Sequence, residues 1–173
     1  MDYLRKDITG RQKQITLVPY DSNWPQLFER ESFHIKKALR RNCIAIHHFG
    51  STAVPGLQAK PVIDILAEVK EISLIDINAI EQLDFEYRGE VIISGRYFSK
   101  KNPGVHLHIF EVNSPITKLN LDFRDWLRAH PDDREAYALL KEQLSILHHD
   151  GVSYSRAKTE FVNNIQEKIR KNT

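Results

Sequence analysis

The run His48-Phe49-Gly50-Ser51-Thr52-Ala53-Val54-Pro55-Gly56-Leu57-Gln58-Ala59-Lys60-Pro61-Val62-Ile63-Asp64-Ile65 carries the residue types of phosphate chemistry. Backbone N–H groups in a Gly-Ser turn can cradle an anion, and a carboxylate on the following strand can hold the divalent ion that accompanies a nucleotide. Gly50, Ser51 and Thr52 are therefore the candidate phosphate-binding positions, and Asp64 is the candidate metal ligand. Small-residue turns between strands are common without a ligand, so the residues around the pair must carry the reading. Alternation along the second strand sets Val62, Asp64, Leu66 and Glu68 on one face, with Ile63, Ile65, Ala67 and Val69 on the other. Asp64 thus points away from the strongly apolar side.

A further strand, Val105-His106-Leu107-His108-Ile109-Phe110, presents His106 and His108 on one face. The ion that accompanies a nucleotide is magnesium or manganese, while two neutral imidazoles with one carboxylate form a softer ligand set, better suited to manganese or zinc than to magnesium. His-x-His on a strand also occurs without metal, solvated or hydrogen-bonded. Lys60 borders the loop, and Arg96 and Lys158 are further cations placed to bind phosphate. Arg124 and Arg128 lie four apart on one side of a helix, in register to grip phosphate oxygens or to pair with Asp125 and Asp132. The adjacent pairs His47-His48 and His148-His149 make no chelate by themselves. Gly50-Ser51-Thr52 is not a Gly-x-Ser-x-Gly elbow, which argues against a serine hydrolase.

The same string resembles the signature of the GrpB family, small proteins placed in the nucleotidyltransferase superfamily. Val18-Pro19-Tyr20-Asp21-Ser22-Asn23-Trp24-Pro25 looks like the family's opening segment. The likeness resumes at His106-Leu107-His108, at Phe123-Arg124-Asp125-Trp126-Leu127-Arg128-Ala129-His130-Pro131, at Tyr137 to Lys141 and at Tyr154 to Phe161. It spans roughly residues 17 to 170 in the family's order. The resemblance implies an α+β, nucleotidyltransferase-like mixed sheet covered by helices. It also implies transfer of a nucleotidyl group to an acceptor, with Asp64, Lys60, Arg124 and Arg128 in the catalytic set. Nucleotidyltransferases generally place a second acid two residues after the first, and here that residue is Leu66; Glu68 is roughly 13 Å along the strand, too far to share one metal ion. Two other readings therefore stand beside catalysis. One is a helper module that keeps the fold and meets a protein partner, in line with the family's fusion to dephospho-coenzyme A kinase in some organisms. The other is a metal-dependent enzyme of another type using Asp64, His106 and His108.

The elements that must position these residues follow from periodicity. A loosely ordered arm is expected over residues 1 to 14, and a single domain over 15 to 173. Ile15 to Val18 reads as a short edge strand, and Pro25 opens a helix with Trp24, Leu27, Phe28, Glu31, Ile35, Ala38 and Leu39 at helical spacing. Ile44–Phe49 and Val62–Val69 read as strands, Ile72–Leu83 as a helix, Phe85–Phe98 as one or two strands, and Arg96–Lys100 with Val105–Val112 as a hairpin. Pro115 and Pro131 each open a helix, Gly151 punctuates, and a last helix runs from Tyr154 to Arg170.

The chain has 173 residues, 41% hydrophobic and 28% charged, in keeping with one globular domain. A net charge of +2 drives it onto neither nucleic acid nor membrane, and no apolar run approaches a membrane span. The expected ligand is a nucleotide or phosphorylated small molecule. Met1-Asp2-Tyr3-Leu4-Arg5-Lys6-Asp7 lacks the pattern of a secretion signal and Cys43 stands alone, so the expected compartment is the cytoplasm.

Overall fold

The strand–loop–strand unit is present as β1 (Cys43–Phe49) and β2 (Ile63–Val69), paired antiparallel with Phe49 opposite Asp64. A computed structural model describes residues 15–91 and 95–172; the arm expected over 1–14 lies outside the described residues. Three more strands complete one mixed sheet: β3 (Glu86–Val91), β4 (Gly95–Lys100) and β5 (Val105–Glu111). The order is β1-β2-β5-β4-β3, with β2 and β5 parallel and every other pair antiparallel. Arg96–Lys100 and Val105 onward pair as the expected hairpin.

Helices cover this sheet, as the α+β reading requires. On one face, α1 (Trp24–Leu39) and the short α2 (Ile77–Glu81) pack Trp24, Ile35, Leu39 and Ile80 against Ile63, Ile65, Ala67, Val69, Leu107 and Ile109. Each large aliphatic buried here contributes about 1.5–3 kcal/mol. The other helices, α3 (Pro115–Ala129), α4 (Pro131–Leu147), α5 (Gly151–Ala157) and α6 (Thr159–Lys171), form a separate layer. It grips the loop between β1 and β2: Val54 and Leu57 are buried with Leu127 and Tyr137, and Phe123, Trp126 and Phe161 pack around them.

Three expectations change in the structure. Ile15 to Val18 is no strand, because only Val18 bridges, to Ala59. The helix expected over Ile72–Leu83 divides into a 3-10 turn at Ile72–Leu74 and α2, since the Ile72 N–H donates to Glu111 Oε1 and the Asp76 carboxylate caps a new start at Ala79 N. The last helix starts earlier and breaks at Lys158: Asp150 caps α5 at the N–H groups of Val152 and Ser153, which makes Gly151 its first residue. At that break the Lys158 ammonium lies 4.4 Å from the centre of the Tyr154 ring.

Ile65 is fully buried on the helix-covered face. Ile65→Ala is expected to lower the free energy of unfolding by about 3 kcal/mol, measured by chemical denaturation; a loss under about 0.5 kcal/mol, the size of a surface substitution, would contradict this packing.

Candidate functional site

The site begins where β1 ends. Gly50 has φ +71, and a Cβ built on it would lie 2.5 Å from Asp64 Oδ2. Only glycine lets the chain turn here while its backbone rests on that carboxylate. Ser51–Ala53 then form a 3-10 turn, in which the amides of Ala53 and Val54 donate to the carbonyls of Gly50 and Ser51. The amides of Ser51 and Thr52 have no backbone acceptor among the described residues. Thr52 is buried and its hydroxyl meets His48 Nε2 at 3.0 Å, while the Ser51 hydroxyl bonds Tyr137 of α4. The loop is thus pinned by its side chains and open at its first amides.

Arg124 and Arg128 supply the rest of that pinning. Arg124 Nη1 donates to the His48 carbonyl at 2.8 Å, and its Nε and Nη2 form a fork on Asp125. Arg128 Nε and Nη2 both donate to the Ala53 carbonyl, at 2.9 and 2.7 Å. Bonding to Arg124 holds the Asp125 carboxyl below its usual range. In the structure the two guanidiniums, the sequence's candidate phosphate grips, donate to the backbone at each end of the loop.

Asp64 joins the loop to the sheet. Its Oδ1 lies 3.1 Å from His106 Nδ1, its register partner on β5, while Oδ2 faces Gly50. His108 lies two residues further on, opposite Leu66, with its ring packed against Phe49 and Tyr97. Burial pushes the His108 pKa down to about 4, so the ring is neutral at pH 7. Leu66 is fully buried, and Glu68 is engaged by His47 Nε2 at 3.0 Å. No three His, Cys, Asp or Glu side chains among the described residues converge as a metal cage. Asp64 and His106 form a pair, with His108 apart from it. Arg96 falls on the other face: its register partner is Ile109 of the core, and it pairs with Glu90 at 2.9 Å. The sheet itself separates Arg96 from Asp64.

Three lysines stand where the loop meets α4 and α5. The ammonium groups of Lys60 and Lys158 lie 4.6 and 4.4 Å from the centre of one ring, Tyr154 of α5. A Cβ on Gly151 would be 3.8 Å from Lys60 Nζ, which places Lys60 at the start of α5. Lys141 of α4 is 1% exposed and donates to the Gln58 carbonyl. None of the three forms an ion pair with a carboxylate among the described residues. Burial lowers Lys141 to about 7, helped by Lys158, and lowers Lys158 to about 8, helped by Lys60; Asp64 acts in the opposite sense on Lys60 and Lys158. Lys141 was not singled out from the sequence. Its signal is positional: it lies four residues after Tyr137 and three before Leu144, on the buried stripe of α4 where an apolar residue is the norm.

These shifts set the pH dependence of stability. A lysine whose folded pKa lies below its unfolded value binds fewer protons in the folded state, so stability rises with pH between the two values. The unfolding midpoint is expected to rise from pH 7 to pH 9, and Lys141→Met to flatten that rise. Burial lowers His48 to about 4, as it does His108, so stability falls as the pH drops from 6.5 towards 4. Thermal unfolding across pH 4–9 checks both limbs; a flat profile would contradict them.

Residues 14–168 match the family described as GrpB protein. The chain is 33% identical over 171 residues to the UPF0157 protein YqkA of Bacillus subtilis, covering 92% of this chain and 48% of that protein. It therefore spans about half the length of that relative. The crystal structure of GrpB from Enterococcus faecalis superposes with a TM-score of 0.82 at 34% identity, over 91% of this chain and 98% of that one. A dephospho-CoA kinase of Mycolicibacterium paratuberculosis is 28% identical over 158 residues, covering 73% of this chain and 39% of the kinase. No helix among the described residues is long and apolar enough to cross a membrane. By the match along nearly its whole length, the chain belongs to the GrpB family.

Proposed function

We propose that this protein binds the phosphate groups of a nucleotide between the Gly50–Thr52 loop and Lys60 and Lys158, and transfers a nucleotidyl group to an acceptor. The carrying observation is that Lys60 and Lys158 lie in the field of Asp64 and form no ion pair with a carboxylate among the described residues. Unpaired buried ammonium groups cost several kcal/mol each, roughly, and an anionic ligand offsets that cost. The open amides of Ser51 and Thr52 add donors on the same side.

Asp64 suits a hard divalent cation that takes one carboxylate and completes its shell with phosphate oxygens and water. His106 fixes the carboxylate through Oδ1 and leaves Oδ2 on the loop side, where the phosphates would lie. A bound cation would supply Lewis-acid charge neutralisation there. Lys60 and Lys158 hold and neutralise the leaving phosphates, and Arg124 and Arg128 keep the loop rigid through its carbonyls. In the reaction, the acceptor oxygen bonds to the α-phosphorus while the bond to the pyrophosphate oxygen breaks. Pyrophosphate leaves and the acceptor proton passes to solvent.

Leu66 favours a second reading, a module that binds the nucleotide and assists another protein without catalysis. A buried leucine stands where a second metal carboxylate would be. The likeness to part of a dephospho-CoA kinase supports an assisting role.

Thermal-shift titration with each NTP, in the presence of magnesium, manganese or zinc, tests the binding. At a hundredfold excess over Kd the expected stabilisation is about 2.7 kcal/mol, metal-dependent, and lost in Asp64→Asn and Lys60→Met. No stabilisation by any combination would overturn the nucleotide site. Binding without pyrophosphate release, across a panel of acceptors, would decide for the assisting module.

A further inference from the structure

Asp64 also stands at the edge of a run of aromatic rings. His106, whose Nδ1 meets Asp64 Oδ1 at 3.1 Å, has its ring centre 5.6 Å from that of Tyr97 on β4. Tyr97 is the register partner of His108, with 4.8 Å between ring centres, and Phe49 of β1 lies 5.4 Å from His108. All four rings lie on the sheet face that carries Asp64, because register partners share a face and alternation leaves Phe98, Leu107 and Ile109 to the core on the other. They are part-exposed, the His106 side chain to 41%. Gly89, the register partner of Tyr97 on β3, has no side chain, and a Cβ there would meet no atom within 4 Å, so space is open beside Tyr97. Ser99 pairs with His106 and accepts from Arg88 Nε at 2.8 Å, which places a hydroxyl and a guanidinium two strand spacings, roughly 10 Å, from Asp64.

Asp64 divides these rings from the lysines. The charges acting on His108 are those of Asp64 and His106, while those acting on Lys158 are those of Lys60 and Asp64. Phosphoryl displacement sets the attacking oxygen opposite the leaving one. With the departing pyrophosphate on Lys60 and Lys158, the attacking hydroxyl comes from the His106 side. We propose that Tyr97, with Phe49 and His108, seats the acceptor, and that the acceptor is a nucleoside whose base stacks on Tyr97 and whose sugar hydroxyl reaches Asp64. This rests on the nucleotidyl-transfer reading above and names the acceptor which that reading leaves open. Aromatic side chains take any base by its π-face, and Ser99 and Arg88 supply hydrogen bonds for the base's polar edge, groups that a plain hydrocarbon ring would leave unused. The sugar oxygen is the one that bonds to the α-phosphorus.

Isothermal titration of adenosine, guanosine, cytidine and uridine into protein saturated with manganese and a non-hydrolysable NTP analogue tests the acceptor site, with ribose as the ring-free control. At least one nucleoside is expected to bind the loaded wild type, and ribose is not. Tyr97→Leu should weaken that nucleoside about tenfold, the loss of one stacked base, and leave the affinity for the NTP analogue unchanged, which shows that the variant is folded. Tyr97→Phe keeps the ring and should keep the nucleoside. Binding of no nucleoside to the loaded protein, or equal binding by wild type and Tyr97→Leu, would overturn the acceptor site and leave the nucleotide site standing. Nucleoside binding that the NTP analogue abolishes and tripolyphosphate spares would assign the rings to the donor's own base, and would overturn it too. Failure of every NTP to bind would overturn the reading on which both rest.

Discussion

The contact between the Gly50 backbone and the Asp64 carboxylate is the constraint on which the site depends. It exists because residue 50 has no Cβ and accepts a positive φ, and because antiparallel pairing puts Phe49 opposite Asp64. Once the loop rests on that carboxylate, its path is set. Arg124 holds the carbonyl before it, Arg128 holds the carbonyl at the end of its turn, and Val54 and Leu57 anchor it in the helical layer. The helices that carry Tyr137, Lys141, Tyr154 and Lys158 are thereby fastened to the strand that carries Asp64.

That fastening brings together charges which oppose one another. Lys60, Lys141 and Lys158 are desolvated, and Lys158 stands in repulsion between Lys60 and Lys141, with Asp64 compensating in part at Lys60 and Lys158 and Asp150 at Lys60. Two of them pack on one aromatic ring, Tyr154, an arrangement worth about 1–2 kcal/mol for a desolvated cation, which offsets only part of the burial cost. A stable core must carry the difference. The helix-covered face of the sheet, with Ile35, Ile63, Ile65, Leu107 and Ile109 fully buried, supplies it. Stability invested in one face of the sheet is spent as electrostatic strain on the other, a division common at functional sites.

Much of this was legible in the residues. Alternation assigned the faces of β2, and proline positions placed the starts of α1, α3 and α4 because proline fixes the helical φ and needs no donor. The loop and Asp64 stood out because small residues and a lone carboxylate in an aliphatic strand have a specific chemistry. Long-range packing was not legible. Arg96 sits on the opposite side of the sheet from Asp64 because β4 pairs it with Ile109, a register no local pattern reveals. Arg124 and Arg128 shared a helix face as expected, but only the tertiary structure shows their targets as the His48 and Ala53 carbonyls. Lys141 was hidden in an apolar stripe, and the break at Lys158 came from Asp150 capping a helix earlier than the periodicity indicated.

The most direct test is a crystal structure with manganese and a non-hydrolysable NTP analogue, collected at an energy where manganese scatters anomalously. The geometry predicts an anomalous peak within ligand distance, roughly 2.2 Å, of Asp64 Oδ2, on the Gly50 side, with phosphate density reaching Lys60 and Lys158. An anomalous peak away from Asp64, or phosphates bound on the Arg96 side of the sheet, would contradict it.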